Sequence, residues 1–284
     1  MTGTLVLCAT PIGNLGDISE RLIETLSGAD VVFAEDTRRQ LLNHLGISKP
    51  MRSYFAGNER TRNSELQALL AEGKTIAFVS DAGMPAVSDP GSSAVQIAVA
   101  IGAAVTAIPG PSAPVTAVAL SGFVGDRFVF EGFLPRKGAE RKQRLASIAD
   151  DQRTTVLFSA TRRVDKDLAD LAERVEPGRQ VVVTRELTKL HEEVWRGTLV
   201  EAARHWGGNV EPRGEFTIVV EGATPPPPDL GAAVSQSLLE IERGASTSQA
   251  VKAVSDRMNV SKRELYELVL KQQHSGDATS ATDH

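Results

Sequence analysis

Residues 75–91 read TIAFVSDAGMPAVSDPG, and this stretch decides the fold. The apolar run 76–79 has the length and the Val/Ile/Phe character of a buried strand. It stops abruptly at Ser80-Asp81-Ala82-Gly83-Met84-Pro85, which leads through Val87 into Ser88-Asp89-Pro90-Gly91. Working outward, the same arrangement recurs three times. The apolar run 4–9 ends at Thr10-Pro11-Ile12-Gly13, the run 29–34 at Glu35-Asp36-Thr37-Arg38, and the run 104–108 at Pro109-Gly110-Pro111-Ser112-Ala113.

Helical patterns separate these runs. Ile18, Leu22, Ile23 and Leu26 share one helical face after residue 17, and a helix opens near Asp36. Leu66, Leu69 and Leu70 mark a helix that runs to Gly73, a natural C-terminal stop. Small-residue helices fill 92–102 and the stretch up to 120. Strands alternating with helices predict a mostly parallel α/β sheet. In such a sheet the loops after the strands' carboxyl ends gather on one edge, where ligands bind.

A second strand series lies at 128–133, 155–158, 180–183 and 215–220, with a helical pattern over 164–174. The four prolines 225–228 form a stiff spacer. Helical patterns follow over 230–243, 246–258 and 261–272, the last two resembling a helix-turn-helix and the last carrying the Ser261/Glu264 capping-box spacing. The expected organisation is an N-terminal α/β domain (1–120), a second α/β domain (121–222), a linker (223–229), a helical extension (230–274) and a disordered polar tail (275–284).

Composition narrows the chemistry by exclusion. The 284 residues are 41% hydrophobic and 24% charged, as in a globular chain. The lone Cys8 rules out an internal disulfide and a CxxC metal knuckle, and the five His include no HExxH, so no metal is expected. No G-x-G, GxxxxGK[ST] or GxSxG occurs, which disfavours the common dinucleotide, triphosphate and serine-hydrolase sites. No apolar run approaches the ~18 residues of a membrane span, and the start lacks a basic n-region, so a soluble cytoplasmic protein without a membrane partner is expected. What remains is a Gly/Pro/Ser-lined cleft suited to a compact, partly apolar ligand held by main-chain groups.

The formal charge of −5 argues against wholesale coating by nucleic acid, yet a local patch can still act. PRKGAERKQR (135–144) sets Arg136, Lys137, Arg141, Lys142 and Arg144 against the single Glu140. The run reads either as a solvated helix start or as a phosphate clamp.

The set TPIGNLGD (10–17), EDTRR (35–39), SDAGMPAVSDPG (80–91) and PGPSA (109–113) closely resembles the ribosomal RNA small subunit methyltransferase I family. FEGFLPRKGAER, FSATRR, TRELTKLHEE and GEFTIVVEG extend the resemblance to about residue 222. That family belongs to the tetrapyrrole-methylase superfamily, so the resemblance implies two α/β domains with S-adenosyl-L-methionine between them. It further implies methylation of the ribose 2′-oxygen of a decoding-centre cytidine in 16S ribosomal RNA, within the 30S subunit, by a homodimer. Carried onto this sequence, the donor would meet Pro11, Gly13, Asp81, Ala82, Gly83, Val87, Ser112 and Ala113. From the second domain it would meet Phe158, Leu187 and Thr217.

A ribose hydroxyl must lose its proton as it attacks, so a base within hydrogen-bond reach is required. Asp36 is the candidate, with Arg38 or Arg39 on phosphate; a helix N-cap is the competing role for Asp36. Glu35 and Asp81 share the cleft edge, and Asp89 before Pro90 reads as a turn residue. Arg162 and Arg163 are weaker candidates for RNA. Two other readings stay open: a methylase of a tetrapyrrole or other small molecule, and a ligand-sensing regulator whose helical extension reads DNA.

Overall fold

Every second residue of β1 (Thr4–Cys8) faces the same way, so Leu5 enters one core while Val6 and Cys8 enter another. The computed structural model describes residues 2–35, 39–208, 213–225 and 229–280, apart from the side chains of 39, 40 and 275–280. After β1 come α1 (Glu20–Gly28), β2 (Val31–Ala34), α2 (Arg39–His44), β3 (Met51–Ser53), α3 (Glu59–Ala71), β4 (Thr75–Val79), α4 (Ser92–Ala100) and β5 (Ala104–Ile108). The five strands form one parallel sheet in the order β3-β2-β4-β1-β5.

Both faces of the inner strands β2, β4 and β1 are covered, which explains why they are apolar on both sides, while the edge strand β5 keeps Ala104, Val105 and Thr106 exposed. Leu22, Leu26, Leu41 and Leu42 of α1 and α2 pack on Val6, Cys8, Val32 and Val79. Leu66, Leu70, Ala94 and Ala98 of α3 and α4 pack on Leu5, Phe33, Ile76 and Phe78. Ser19 caps α1 by accepting the Leu22 N–H, and Gly73 ends the α3 region at φ +83°, as its position in the sequence predicts. Ile23, expected on the buried face of α1, is 37% exposed. The helix rests on the sheet along Leu22 and Leu26, and one step of 100° carries Ile23 off that line.

The second half holds α5 (Ala113–Ser121), β6 (Phe128–Phe133), α6 (Ala139–Asp150), β7 (Thr154–Ser159), α7 (Val164–Ala172), β8 (Gln180–Arg185), β9 (Glu193–Thr198), α8 (Leu199–Trp206) and β10 (Phe216–Val220). Its sheet has the order β6-β7-β10-β8-β9, with only β6 and β7 parallel. Leu145, Ile148, Leu168, Leu171 and Ala202 from α6, α7 and α8 cover one face. Ala117 and Val118 of α5, joined by Ile12 from the loop after β1, pack on Val156, Val182 and Val219 of the other.

That packing corrects the expected boundary after residue 120. α5 follows the first sheet in sequence but packs on the second, and residues 1–223 form a single compact unit. A separate unit, residues 224–284, contains α9 (Leu230–Glu242), α10 (Thr247–Met258) and α11 (Lys262–Ser280) around Val234, Val251, Val254, Leu265 and Val269. A reciprocal capping box forms at Ser246 with Gln249, while Ser261 Oγ accepts the Glu264 N–H at 3.4 Å. Residues 275–280, expected to be disordered, continue α11. The prolines 226–228 and residues 281–284 lie outside the described residues.

Cys8 is fully buried, and burial pushes its thiol up to about 12 from 9.0, a Phe78 backbone hydrogen bond working the other way. The native state therefore holds the thiol proton more tightly than the unfolded state does. Stability from this group is complete below about pH 9 and falls as pH rises toward about 12. Iodoacetamide at mildly alkaline pH is expected to leave the native protein unmodified and to label Cys8 fully in denaturant. Rapid labelling of the native protein would contradict this environment.

Candidate active site

Because β1, β4 and β5 are parallel neighbours, their following loops meet at one edge. They touch. Thr10 N–H donates to the Gly83 carbonyl at 2.9 Å, and Gly83 N–H returns a bond to Thr10 at 3.1 Å. Thr10 Oγ1 donates to the Ser80 carbonyl at 3.2 Å, tying the top of β1 to the end of β4. Gly83 sits at φ +75°, where a Cβ would lie 3.4 Å from both Ile12 Cγ2 and the Pro111 carbonyl. Gly110 packs more tightly still, its would-be Cβ only 2.9 Å from that of Ala9.

Between these loops and the second sheet lies a cavity of about 410 Å³. Asp81, Ala82, Gly83, Val87, Ser112, Ala113, Phe158, Leu187 and Thr217, all expected from the sequence to face one ligand, line it together. Pro11 and Gly13 do not. Gly13 instead meets the β8–β9 loop, where a Cβ would collide with the Lys189 side chain, so its role is to let two loops touch, and Ile12 between them supplies the wall. Sequence reasoning missed Met84, Phe133 and the 159–161 and 214–216 segments. It also read Asp89 as a turn residue, whereas Asp89 lines the cavity beside Asp81.

Two apolar side chains are delivered by unusual backbone. Val87 lies between Ala86 (φ +68°) and Ser88 (φ +60°), and Leu187 between Glu186 (φ +50°) and Thr188 (φ +66°). Left-handed non-glycine residues cost on the order of 1–3 kcal/mol each and persist where their surroundings over-determine them. At the second loop those surroundings are visible: Lys189 Nζ and the Glu215 N–H donate to Glu186 Oε1 at 2.8 and 2.9 Å. Burial opposes ionisation of Glu186, yet these donors hold its carboxyl below the usual range. A register shift in β6 between Phe130 and Phe133, with Gly132 at φ +60°, turns Phe133 toward the cavity. Phe158 packs on both rings, its centroid 5.1 Å from Phe130 and 5.4 Å from Phe133.

The basic run begins α6, but its members differ in kind. Arg136, Lys137 and Lys142 are exposed. Arg144 is half-buried and donates to the Glu131 carbonyl at 2.9 Å. Arg141 is 4% exposed: its Nε donates to Asp170 at 2.8 Å, Nη1 to the Pro135 carbonyl at 3.0 Å, and Nη2 lies 2.8 Å from Asp167 Oδ1. A guanidinium held by two carboxylates beneath the surface is structural, which corrects its assignment to an RNA-binding set. Burial opposes its charge, and Asp170 and Asp167 more than offset this, raising its pKa above the usual range. Asp36 and Arg38 lie outside the described residues, as does the side chain of Arg39. No cluster of His, Cys, Asp or Glu fit to hold a metal occurs among the described residues.

The family model for tetrapyrrole (corrin/porphyrin) methylases matches residues 4–203. The chain belongs to the tetrapyrrole methylases. Within this family it is 42% identical over 281 residues to ribosomal RNA small subunit methyltransferase I of Synechocystis, covering 96% of this chain and all of that protein. The protein of the same name from Thermotoga maritima is 46% identical over 222 residues, 78% of this chain and 99% of the other. Among solved tetrapyrrole methylases, uroporphyrin-III C-methyltransferase from Thermus thermophilus, complexed with S-adenyl homocysteine, shares the fold (TM-score 0.56, 16% identity, 77% of this chain and 97% of that one). The chain is an S-adenosylmethionine-dependent methyltransferase of the ribosomal RNA small subunit methyltransferase I group.

The cavity suits such a donor. Its volume lies within the range of small-molecule sites, and its walls combine apolar side chains with strand-end main chain. Phe133, Phe158, Asp81 and Asp89 are among its lining residues, groups whose chemistry suits a cationic sulfonium. Gly83→Val is expected to weaken donor binding at least ~10-fold, about 1.4 kcal/mol. Forcing a β-branched residue to positive φ should also lower unfolding stability by about 1–3 kcal/mol. Calorimetric titration with the donor and urea denaturation measure the two effects separately. Undiminished donor affinity would remove the 80–85 loop from the binding site.

Proposed function

We propose that this methylase transfers its methyl group to the ribose 2′-oxygen of a decoding-centre cytidine in 16S ribosomal RNA, acting in the cytoplasm on the 30S subunit as a homodimer. The observation that carries the reading is the likeness, over nearly its whole length, to relatives named for the small-subunit RNA. An exposed basic surface at Arg136, Lys137 and Lys142 supports it, because a small-molecule acceptor has no use for such a surface. A regulator that reads DNA through the helical extension has no such support.

The donor supplies an electrophilic methyl group. The chain's residues then have three tasks. The loops after β1, β4 and β5, with Phe158, Leu187 and Thr217 opposite, hold the donor in place and exclude water. Alignment of this kind supplies several kcal/mol of the barrier in oriented displacements. The proton of the attacking hydroxyl needs a carboxylate, for which Asp36, Asp81 and Asp89 are the candidates. Arg38 and Arg39 of the EDTRR motif, with Arg136, Lys137, Lys142 and Arg144, would bind phosphate.

Radiolabelled S-adenosylmethionine incubated with the protein and with 30S subunits lacking ribose methylation should label a single cytidine at its 2′-oxygen, mapped by nuclease digestion. Asn replacements at positions 36, 81 and 89, assayed in turn, should reveal one that lowers kcat by about 100-fold or more without weakening donor binding. Donor binding without label on RNA would exclude the proposal and direct the search to small acceptors.

A further inference from the structure

The loop after β7, Ala160-Thr161-Arg162-Arg163, borders two spaces. Ala160 and Thr161 line the donor cavity on one side. On the other, the same two residues join Arg136, Arg162 and Arg163 around an open hollow of about 480 Å³. The three guanidinium groups come from two chain segments, the turn before α6 and the turn before α7. Arg163 Nη2 donates to the Arg136 carbonyl at 3.3 Å and lies 3.5 Å from Asp167 Oδ1, which fixes the two segments against each other.

The charge balance of this hollow is uneven. Asp167 is buried, accepts the Ser159 hydroxyl at 2.6 Å and is already paired with Arg141. Its charge is thus divided between two arginines. Among the described residues, neither Arg136 nor Arg162 has an ion-pair partner, and both are exposed. Like charges gathered in a concave site repel one another until an anion arrives, and guanidinium forks match the tetrahedral oxygens of phosphate. Ser159 and Thr161 meanwhile tie the loop down: Ser159 to Asp167, Thr161 Oγ1 to the Gly214 carbonyl.

We infer that the Arg136/Arg162/Arg163 hollow binds a backbone phosphate of the acceptor strand, next to the ribose presented to the donor cavity. This rests on the RNA reading above and deepens it. Arg136 also borders a second hollow, with Lys137 and Lys142 beside Asp170 and Glu173, whereas Arg162 and Arg163 line the first hollow alone. A single phosphate anchored one loop away from the donor would set the register of the strand. Lys137, before α6, and Lys142, on it, would add only diffuse attraction.

Arg136→Gln and Arg162→Gln, both at exposed positions, test the site in the full-length protein. Each is expected to raise KM for 30S subunits about 10-fold or more, to leave donor affinity and thermal unfolding unchanged, and to lower the slope of log affinity against log salt by about one. Lys142→Gln, outside the hollow, should change KM less than either. Unchanged KM and salt slope in both arginine variants would overturn the inference while leaving the RNA reading intact. If the wild type labels no RNA, the reading of function fails first. Anisotropy with a fluorescent single-stranded RNA then decides the hollow alone, and equal affinity of wild type and both variants would overturn it.

Discussion

The constraint on which this molecule depends is the close passage of three chain segments above a parallel sheet. The loops after β1, β4 and β5 meet because their strands are neighbours, and they meet at distances that leave no room for a Cβ at Gly110 and little at Gly83. The reciprocal Thr10–Gly83 bonds satisfy backbone groups that would otherwise be stranded at the end of a buried sheet. From that junction the chain leaves in two directions that matter. Ile12 reaches into the core of the second sheet, and α5 packs beside it. The two sheets therefore share one apolar contact, and the cavity walls from each are held in register by it.

Strain is concentrated where that cavity needs it. Val87 and Leu187 sit on opposite walls, each flanked by two residues at positive φ. A regular turn would have aimed those side chains elsewhere. The cost is carried by the surrounding packing: Leu187 joins the apolar contact between the sheets, and Glu186 is held by Lys189 and by the Glu215 backbone. Removing that support would leave the backbone free to relax and the wall to collapse.

Much of this was legible in the sequence because it depends on local chemistry. An apolar run that stops in Gly, Pro and Asp announces a strand end, and nine of the eleven donor residues that the family resemblance implied line one cavity. Pro11 and Gly13 fall outside its lining because a motif marks a loop without saying which of its side chains faces the cavity. β3 is three residues long, and β9 carries Glu193 and Arg196 among its apolar residues, so neither shows a clean period. Arg141 looks like its neighbours in sequence. Its burial follows from Asp167 and Asp170 on another helix, a tertiary pairing that no local pattern encodes. The same holds for α5, whose apolar face is readable but whose partner sheet is not.

The distribution of charge sets how such a protein can meet a polyanion. With a formal charge of −5, the chain as a whole repels nucleic acid at long range. Screening at physiological salt limits that repulsion to about 8 Å, beyond which neither repulsion nor attraction steers the approach. For the proposed RNA acceptor, affinity would then come from contacts made inside that distance, where the arginine hollow and the exposed lysines would outweigh the net charge. Contacts of that range reward shape: a surface that brings several phosphates to fixed positions at once gains from all of them, and a flexible strand gains from only one or two. Under the proposed function, the acidic balance of the chain and its small, fixed basic sites would work in the same direction, toward a folded ribonucleoprotein surface and away from loose RNA.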